Sequence, residues 1–282
     1  VYDKMVKEEI KEIGHEYIVY GLRRSGNHAI INWILPQVKG DFSYYNDVWP
    51  NAPYKGKPKQ RRGNGSKVDT SIISFEDYNL QIFKSLLRNR SQPKVQKRTT
   101  ILIIRDPFNW YASRLKSDMS QPAHYSGLNL RQLYLQYIRE YNRESIFLEG
   151  HVVLISYNQW KSDLSYRKSI SKGLGLEFTD DGLNKVTGEG GGSSFDGMIV
   201  SGQQLRTDKR YLYYLNDDTF LSLFTNKELL FFCESEFLIP EELLFLKDKV
   251  KRKNTDLLDS IVLNTVPKWT HFLRQTYLTF KK

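Results

Sequence analysis

Sulfur is nearly missing from this sequence: 282 residues contain one cysteine, Cys233, and three methionines. A lone cysteine excludes an intrachain disulfide framework, and with it the small secreted scaffolds that depend on one. The compartment this predicts is reducing and cytoplasmic. Long hydrophobic runs are missing too. No uninterrupted apolar stretch reaches the ~20 residues of a membrane span, and the opening "VYDKMVKEEIKEIG" is too charged for a secretion signal. The five histidines form no cluster with cysteine or acid at metal-ligand spacing, so no metal is expected. Acid is also short, with Asp+Glu 32 against Lys+Arg 42 and a net charge of +10. That balance favours anionic ligands. Nucleic acid would be one such partner, but no recognisable binding motif accompanies the charge, and none is expected.

What is present has the composition of a folded protein, 40% hydrophobic and 13% aromatic, long enough for one large domain. Four β-branched runs read as buried parallel strands: "EYIVYG" (16–21), "TSIISFED" (70–77), "TTILIIRD" (99–106) and "GHVVLISY" (150–157), with a weaker fifth at 41–47. Helical patterns alternate with them. "NHAIINWIL" stops at Pro36, "FNWYASRLKSDM" follows the third run, and 129–150 carries Leu130, Leu133, Tyr137, Tyr141 and Ile146 at helical spacing. This alternation predicts an α/β fold in three layers, helices on both faces of a mostly parallel sheet, as a single domain over residues 1–282. The final third reads as short helices packed on that sheet. Two stretches look irregular. Residues 54–67 hold six basic residues and no acid, and 187–197 is rich in glycine.

The chemistry starts at "GLRRSGNHAI". Gly21-x4-Gly26 ends a strand and opens a helix, the spacing of a phosphate-binding loop. Helix N-termini carry unpaired N–H groups and partial positive charge, so they bind phosphate-like anions. Gly26 admits an anion close to the backbone, and Arg23 and Arg24 add charge. An ATP loop would continue with lysine and then serine or threonine, whereas this chain continues Asn27-His28. A kinase or other ATP-using P-loop protein is therefore the alternative reading, weakened by the loss of the phosphate-bridging lysine and the magnesium-holding hydroxyl. The second segment is "TTILIIRDPFNWYASRL". It puts Arg105 at the carboxyl end of a strand, where open α/β sheets bind ligands, and Ser113 eight residues later on the next helix.

Together these segments resemble the sulfotransferases that use 3′-phosphoadenosine 5′-phosphosulfate (PAPS). In that family a strand–loop–helix of the type Pro-Lys/Arg-Ser-Gly-Thr-Thr binds the 5′-phosphosulfate; here it reads Arg23-Arg24-Ser25-Gly26-Asn27-His28. An arginine followed eight residues later by serine binds the 3′-phosphate, which Arg105 and Ser113 match. The resemblance implies a P-loop-containing nucleotide-binding fold and sulfuryl transfer from PAPS to a hydroxyl or amine of a small-molecule or carbohydrate acceptor. It leaves 3′-phosphoadenosine 5′-phosphate as product, and it requires no metal. Arg24 is then the cation for the leaving phosphate, joined by the backbone N–H groups of residues 25–28. Asn27 and His28 depart from the two threonines. Ala29 stands where an aromatic often packs near the adenine, with Trp33 one turn on. The late loop that closes over the nucleotide is assigned to 193–214, with Arg206, Lys209 and Arg210 as its cations.

An acceptor must lose a proton, so a general base belongs within hydrogen-bond reach. The resemblance puts it at the end of the strand before Arg105, which means Glu76 or Asp77. Asp47 and His28 are further candidates, and His124 a remote one. Segments 41–67 and 117–128 are expected to border the acceptor, with Tyr44, Tyr45, Trp49, Tyr54 and Tyr125 available for stacking.

Overall fold

A computed structural model describes residues 10–63, 65–83, 93–121, 126–185, 195 and 201–251. The chain divides into two compact units, Val1–Tyr214 and Leu215–Lys282.

The first unit is built on a six-stranded sheet: β1 (Glu12–Gly21), β2 (Phe42–Tyr45), β3 (Gln60–Arg62), β4 (Lys67–Glu76), β5 (Lys94–Ile104) and β6 (Val152–Ser156). Their spatial order is β3-β2-β4-β1-β5-β6, and every pairing is parallel except the antiparallel β2–β3. The helices are α1 (Asn27–Ile34), α2 (Pro107–Lys116), α3 (Leu130–Tyr141), α4 (Tyr157–Ser162) and α5 (Leu164–Leu174). The expected α/β fold with a mostly parallel central sheet is the one observed.

Alternation along the central strands divides the core between two faces. Tyr17 and Val19 of β1, with Ile72, Ile101, Ile103 and Ile155, pack against Ile30, Ile31, Trp33 and Ile34 of α1 and against Trp160, Ile170 and Leu174. On the other face Tyr20 and Phe75 meet Phe83 at 4.9 and 4.6 Å between ring centroids, and Trp110 of α2 meets Tyr134 of α3 at 5.0 Å. Each such side chain contributes about 1.5–3 kcal/mol on burial. Burial on both faces is why these strands read as continuous β-branched runs rather than alternating ones.

Three departures have local causes. The basic stretch 54–67 is not wholly irregular, because Gln60–Arg62 adds an antiparallel edge strand to β2. Arg62 donates to the carbonyls of Val38 and Gly40 and lies 4.9 Å over the Phe42 ring, while Arg61 closes on the carbonyls of Gly63 and Gly65. Charged side chains on an edge strand also discourage pairing with other chains. Strand β5 begins at Lys94, ahead of its β-branched run, because its first residues pair with β1 from Glu12 onward. Helix α3 stops at Tyr141, so Ile146 lies beyond it and is 78% exposed. Glu140, fully buried, ends the helix by accepting the N–H groups of Phe147 and Leu148 and the Ser145 hydroxyl.

The second unit contains α6 (Asp218–Leu223) and α7 (Lys227–Glu236), each capped at its N-terminus by a side chain, Asp217 and Asn226. Phe220, Phe224, Leu229, Phe232, Leu243 and Leu246 are buried, as is Cys233. Among the described residues no helix is long and apolar enough to cross a membrane, and no cluster of metal ligands occurs.

Candidate functional site

Strand register assembles the site. Gly21 ends β1 opposite Glu76 of β4 and Ile103 of β5, so three strands finish together, and the Asp77 N–H donates to the Gly21 carbonyl at 3.1 Å. The loop from Leu22 to Gly26 then turns above this edge. Arg24 and Gly26 both have left-handed backbone, φ 72° and 95°. Gly21 is required for a different reason. A Cβ there would lie 1.9 Å from the Asn27 side chain, which folds back to donate to the Leu22 carbonyl at 3.1 Å and to Glu76 Oε1 at 2.8 Å. Ser25 Oγ donates to the Leu22 carbonyl at 2.6 Å. The loop is thus tied from within and leads into α1, whose N-cap Gly26 supplies no side-chain cap.

Beside the loop lies a cavity of about 540 Å³, within the ~300–1,000 Å³ typical of small-molecule sites. Arg23, Arg24, Gly26, Asn27, His28 and Ala29 line it from the loop and first turn of α1. Glu76 enters from β4, Arg105 from the end of β5, and Arg210 from the far end of the first unit. Among the described residues six cations line this space (Arg23, Arg24, Arg105, Lys161, Lys185 and Arg210), against one carboxylate, Glu76.

The cations gather in a pattern. Arg105, 3% exposed, donates to the Arg24 carbonyl at 3.2 Å, to the Thr207 carbonyl, and to Ser113 Oγ at 3.5 Å; its guanidinium lies 5.1 Å over the Tyr157 ring. Its Nε is buried without a hydrogen-bond partner. Arg210 donates to the same Ser113 Oγ at 2.7 Å, and its backbone N–H is held by Asn109. Lys161 donates to the Leu205 carbonyl at 3.0 Å and to Thr207 Oγ1. Burial and the nearby Arg105 charge lower the pKa of Arg24, opposed by Glu76. A guanidinium stays protonated regardless, and the Arg105 charge beside it makes this corner favourable to an anion.

Glu76 is the acid of the site. It is 8% exposed, accepts from Asn27, and has its backbone N–H on Asp47 Oδ1 at 3.2 Å. Burial first, then the Asp47 and Asp77 charges, raise its pKa to about 7 against the opposing Asn27 hydrogen bond and Arg23. His28 Nε2 is 3.9 Å from Glu76 Oε1.

The structure separates the other expected residues. Asp77 is fully buried, does not line the cavity, and holds Arg114 through both oxygens at 2.9 Å. Asp47 pairs with Arg23 at 2.7 Å, outside the cavity lining. The Ser25 N–H, expected to face the anion, is taken by the Leu22 carbonyl at 3.1 Å. Arg206 and Lys209 are exposed and line no part of the cavity. Trp33 is fully buried in the core, its indole N–H on Asp180 at 2.9 Å. Tyr44 and Tyr45 are buried, Tyr54 donates to Glu16, and Trp49 is 58% exposed; none lines the cavity. From the segment 117–128, Met119 does. His124, Tyr125 and most of 187–200 lie outside the described residues.

Several lining residues were not singled out in the sequence: Tyr157, Trp160 and Lys161 after β6, then Leu183–Lys185; Gly202, Gln203, Leu205 and Thr207 line the cavity from within the 193–214 segment assigned to the late loop. The first three had a usable signal, since they follow the carboxyl end of a parallel strand, where such sheets bind ligands.

No family model and no curated protein matches this chain. Among solved structures it is similar to mouse sulfotransferase SULT7A1 complexed with PAP, at 13% identity and a TM-score of 0.41, over 75% of this chain and 83% of that one.

Proposed function

We propose that this chain is a sulfotransferase that uses PAPS and modifies a hydroxyl or amine of a small-molecule or carbohydrate acceptor. One observation carries the reading: residues of the phosphate loop, the buried Glu76, and Arg105 and Arg210 line one cavity, with Ser113 buried behind the two arginines as their shared acceptor. The donor set suits an anionic ligand, since among the described residues cations outnumber acids six to one on the cavity wall. When bound, PAPS supplies the sulfuryl group.

The residues of the chain do three things. Arg24 and the first turn of α1 would face the 5′ anion and stabilise the negative charge left on the departing 5′-phosphate as its oxygen–sulfur bond breaks and the acceptor's bond to sulfur forms. Arg105, Ser113 and Arg210 hold the 3′-phosphate, which orients the nucleotide and lowers the entropy cost of reaction. Glu76 takes the acceptor's proton; with its pKa at about 7 it is a competent base near neutral pH. Asn27, hydrogen-bonded to Glu76, holds the carboxylate towards the cavity. Nothing in the loop favours ATP with magnesium: no lysine follows Gly26, and the Ser25 hydroxyl is spent on Leu22 and Asn27.

Thermal-shift titration tests the reading. Adenosine 3′,5′-bisphosphate stabilises the protein by mass action, and ATP with magnesium does so far less. Equal or greater stabilisation by ATP with magnesium sinks it. A screen of acceptors with labelled PAPS then identifies the second substrate.

A further inference from the structure

Arg114 follows Ser113 directly, yet its side chain serves a different structure. It is fully buried and donates to five oxygens: both of Asp77 at 2.9 Å, and the carbonyls of Arg23 at 3.2 Å, Met119 at 2.9 Å and Gln121 at 2.8 Å. Asp77 Oδ1 in turn accepts the Arg23 N–H at 2.9 Å, and the Arg23 carbonyl also receives the Trp110 indole N–H at 2.9 Å. Both backbone polar groups of Arg23 are therefore clamped. The next residue, Arg24, is held in the left-handed region at φ 72°, a conformation a non-glycine residue keeps only where its surroundings impose it. Asp77 is left-handed as well, at φ 60°, and its N–H holds the Gly21 carbonyl at 3.1 Å. The start and the middle of the phosphate loop thus hang on one carboxylate and one guanidinium.

A buried ion pair is a poor way to gain stability, because desolvation offsets most of the attraction, and apolar replacements of such pairs are often neutral or stabilising. What the pair does supply here is geometry. It fixes the loop against β4 and α2, and through the Met119 carbonyl it fixes the cavity wall at Met119 as well.

We infer that Arg114 and Asp77 are positioning residues that set the conformation of the phosphate loop, and so govern binding of the 5′ anion without governing the 3′-phosphate. This rests on the nucleotide assignment proposed above. The side chains of the 3′ cluster are others, Arg105, Ser113 and Arg210, with the Thr207 carbonyl; the cluster touches the loop where Arg105 donates to the Arg24 carbonyl at 3.2 Å.

The test uses two variants of the full chain, Arg114→Lys, which keeps the charge and loses the fork, and Asp77→Asn, which keeps the shape and loses the charge. Calorimetric titration with adenosine 5′-phosphosulfate and with adenosine 3′-monophosphate probes each end separately. The expected result is a loss of about tenfold or more for the 5′ ligand in both variants, the scale of one charged hydrogen bond, with the 3′ ligand within about twofold of wild type and a cooperative melt retained. Equal losses for both ligands, no loss for either, or unfolding of both variants overturns the inference and leaves the pair a stability element. Failure of the nucleotide assignment looks different, because the wild-type chain itself then binds neither ligand.

Discussion

The hydroxyl of Ser113 lies 2.7 Å from a guanidinium nitrogen of Arg210, although 97 positions separate them in sequence, and Arg105 donates to the same oxygen at 3.5 Å. Two cations sharing one neutral hydroxyl repel each other in a poorly solvated corner. An anion placed between them would convert that repulsion into attraction.

Arg210→Ala should therefore lower affinity for adenosine 3′,5′-bisphosphate by about 10- to 100-fold, the 1.5–3 kcal/mol of a charged hydrogen bond. Ser113→Ala removes a neutral donor and should cost less, about 2- to 10-fold. Adenosine 5′-phosphosulfate, which lacks the 3′-phosphate, should bind both variants nearly as well as wild type. Isothermal titration gives all four values, and equal losses for the two ligands would assign Arg210 another role.

Glu76 should leave a signature in both stability and rate. Its pKa rises from 4.5 to about 7 on folding, so the folded chain holds this proton more tightly than the unfolded one. Stability from this group is full below about pH 4.5 and falls through about pH 7, by a total on the order of 3 kcal/mol. His15 acts in the opposite sense. Burial, then Lys97 and His151, lower its pKa from 6.5 to about 4, so its contribution is lost as pH falls across that window. The two slopes oppose each other in the wild type. Glu76→Gln should uncover the His15 slope, with Tm rising more steeply from pH 4 to 6.5 and exceeding wild type at pH 8. The same variant should lose turnover while keeping donor affinity. A Tm profile parallel to wild type would mean that Glu76 titrates normally.

How much of this was legible in the sequence depended on range. Gly21, Gly26, Arg24, Arg105 and Ser113 lie in short strand–turn–helix segments whose local pattern places them at the carboxyl edge of a sheet. The central strands were legible because burial on both faces leaves β-branched runs. Strand β3 was not, since Gln60-Arg61-Arg62 is stabilised by pairing with β2 and by carbonyl contacts rather than by apolar burial. Glu76 and Asp77 were equivalent as neighbours in sequence. In the fold β4 ends at Glu76 and Asp77 turns into the left-handed region at φ 60°, so one carboxylate enters the cavity and the other meets Arg114. The wall made by Leu183–Lys185 comes from a segment that only tertiary structure brings to the loop.

Asp180 carries a load no motif announced. It binds Arg167 through both oxygens, at 2.9 and 3.0 Å, and accepts the Trp33 indole N–H at 2.9 Å. Arg167 is 7% exposed and Trp33 fully buried, so Asp180→Ala strands two buried donors. The carboxylate is 29% exposed, so the cost is set below that of a fully buried pair, at about 2–3 kcal/mol. That corresponds to a drop in Tm of roughly 4–12 °C for a chain of this size, measurable by calorimetry. Asp180→Asn keeps one acceptor and should lose about half as much.

Gly26 and Tyr157 should be coupled. A Cβ at Gly26 would lie 2.2 Å from Tyr157 Cδ2 and 2.4 Å from Cε2, and the backbone is left-handed at φ 95°. Gly26→Ala therefore incurs about 1–2 kcal/mol of backbone strain and forces the ring to move. The ring has little room to do so, because it packs at 5.6 Å from Trp160 and lies under the Arg105 guanidinium. Displacing it moves Arg105, so Gly26→Ala should lower bisphosphate affinity as well as Tm. Tyr157→Ala removes the clash and leaves the strain. The double variant should then be more stable than the sum of the singles by about 1 kcal/mol or more, while bisphosphate affinity stays low because Arg105 has lost its platform. Strictly additive singles would place the effect of Gly26 in the backbone alone, and would free Tyr157 from any part in shaping the loop.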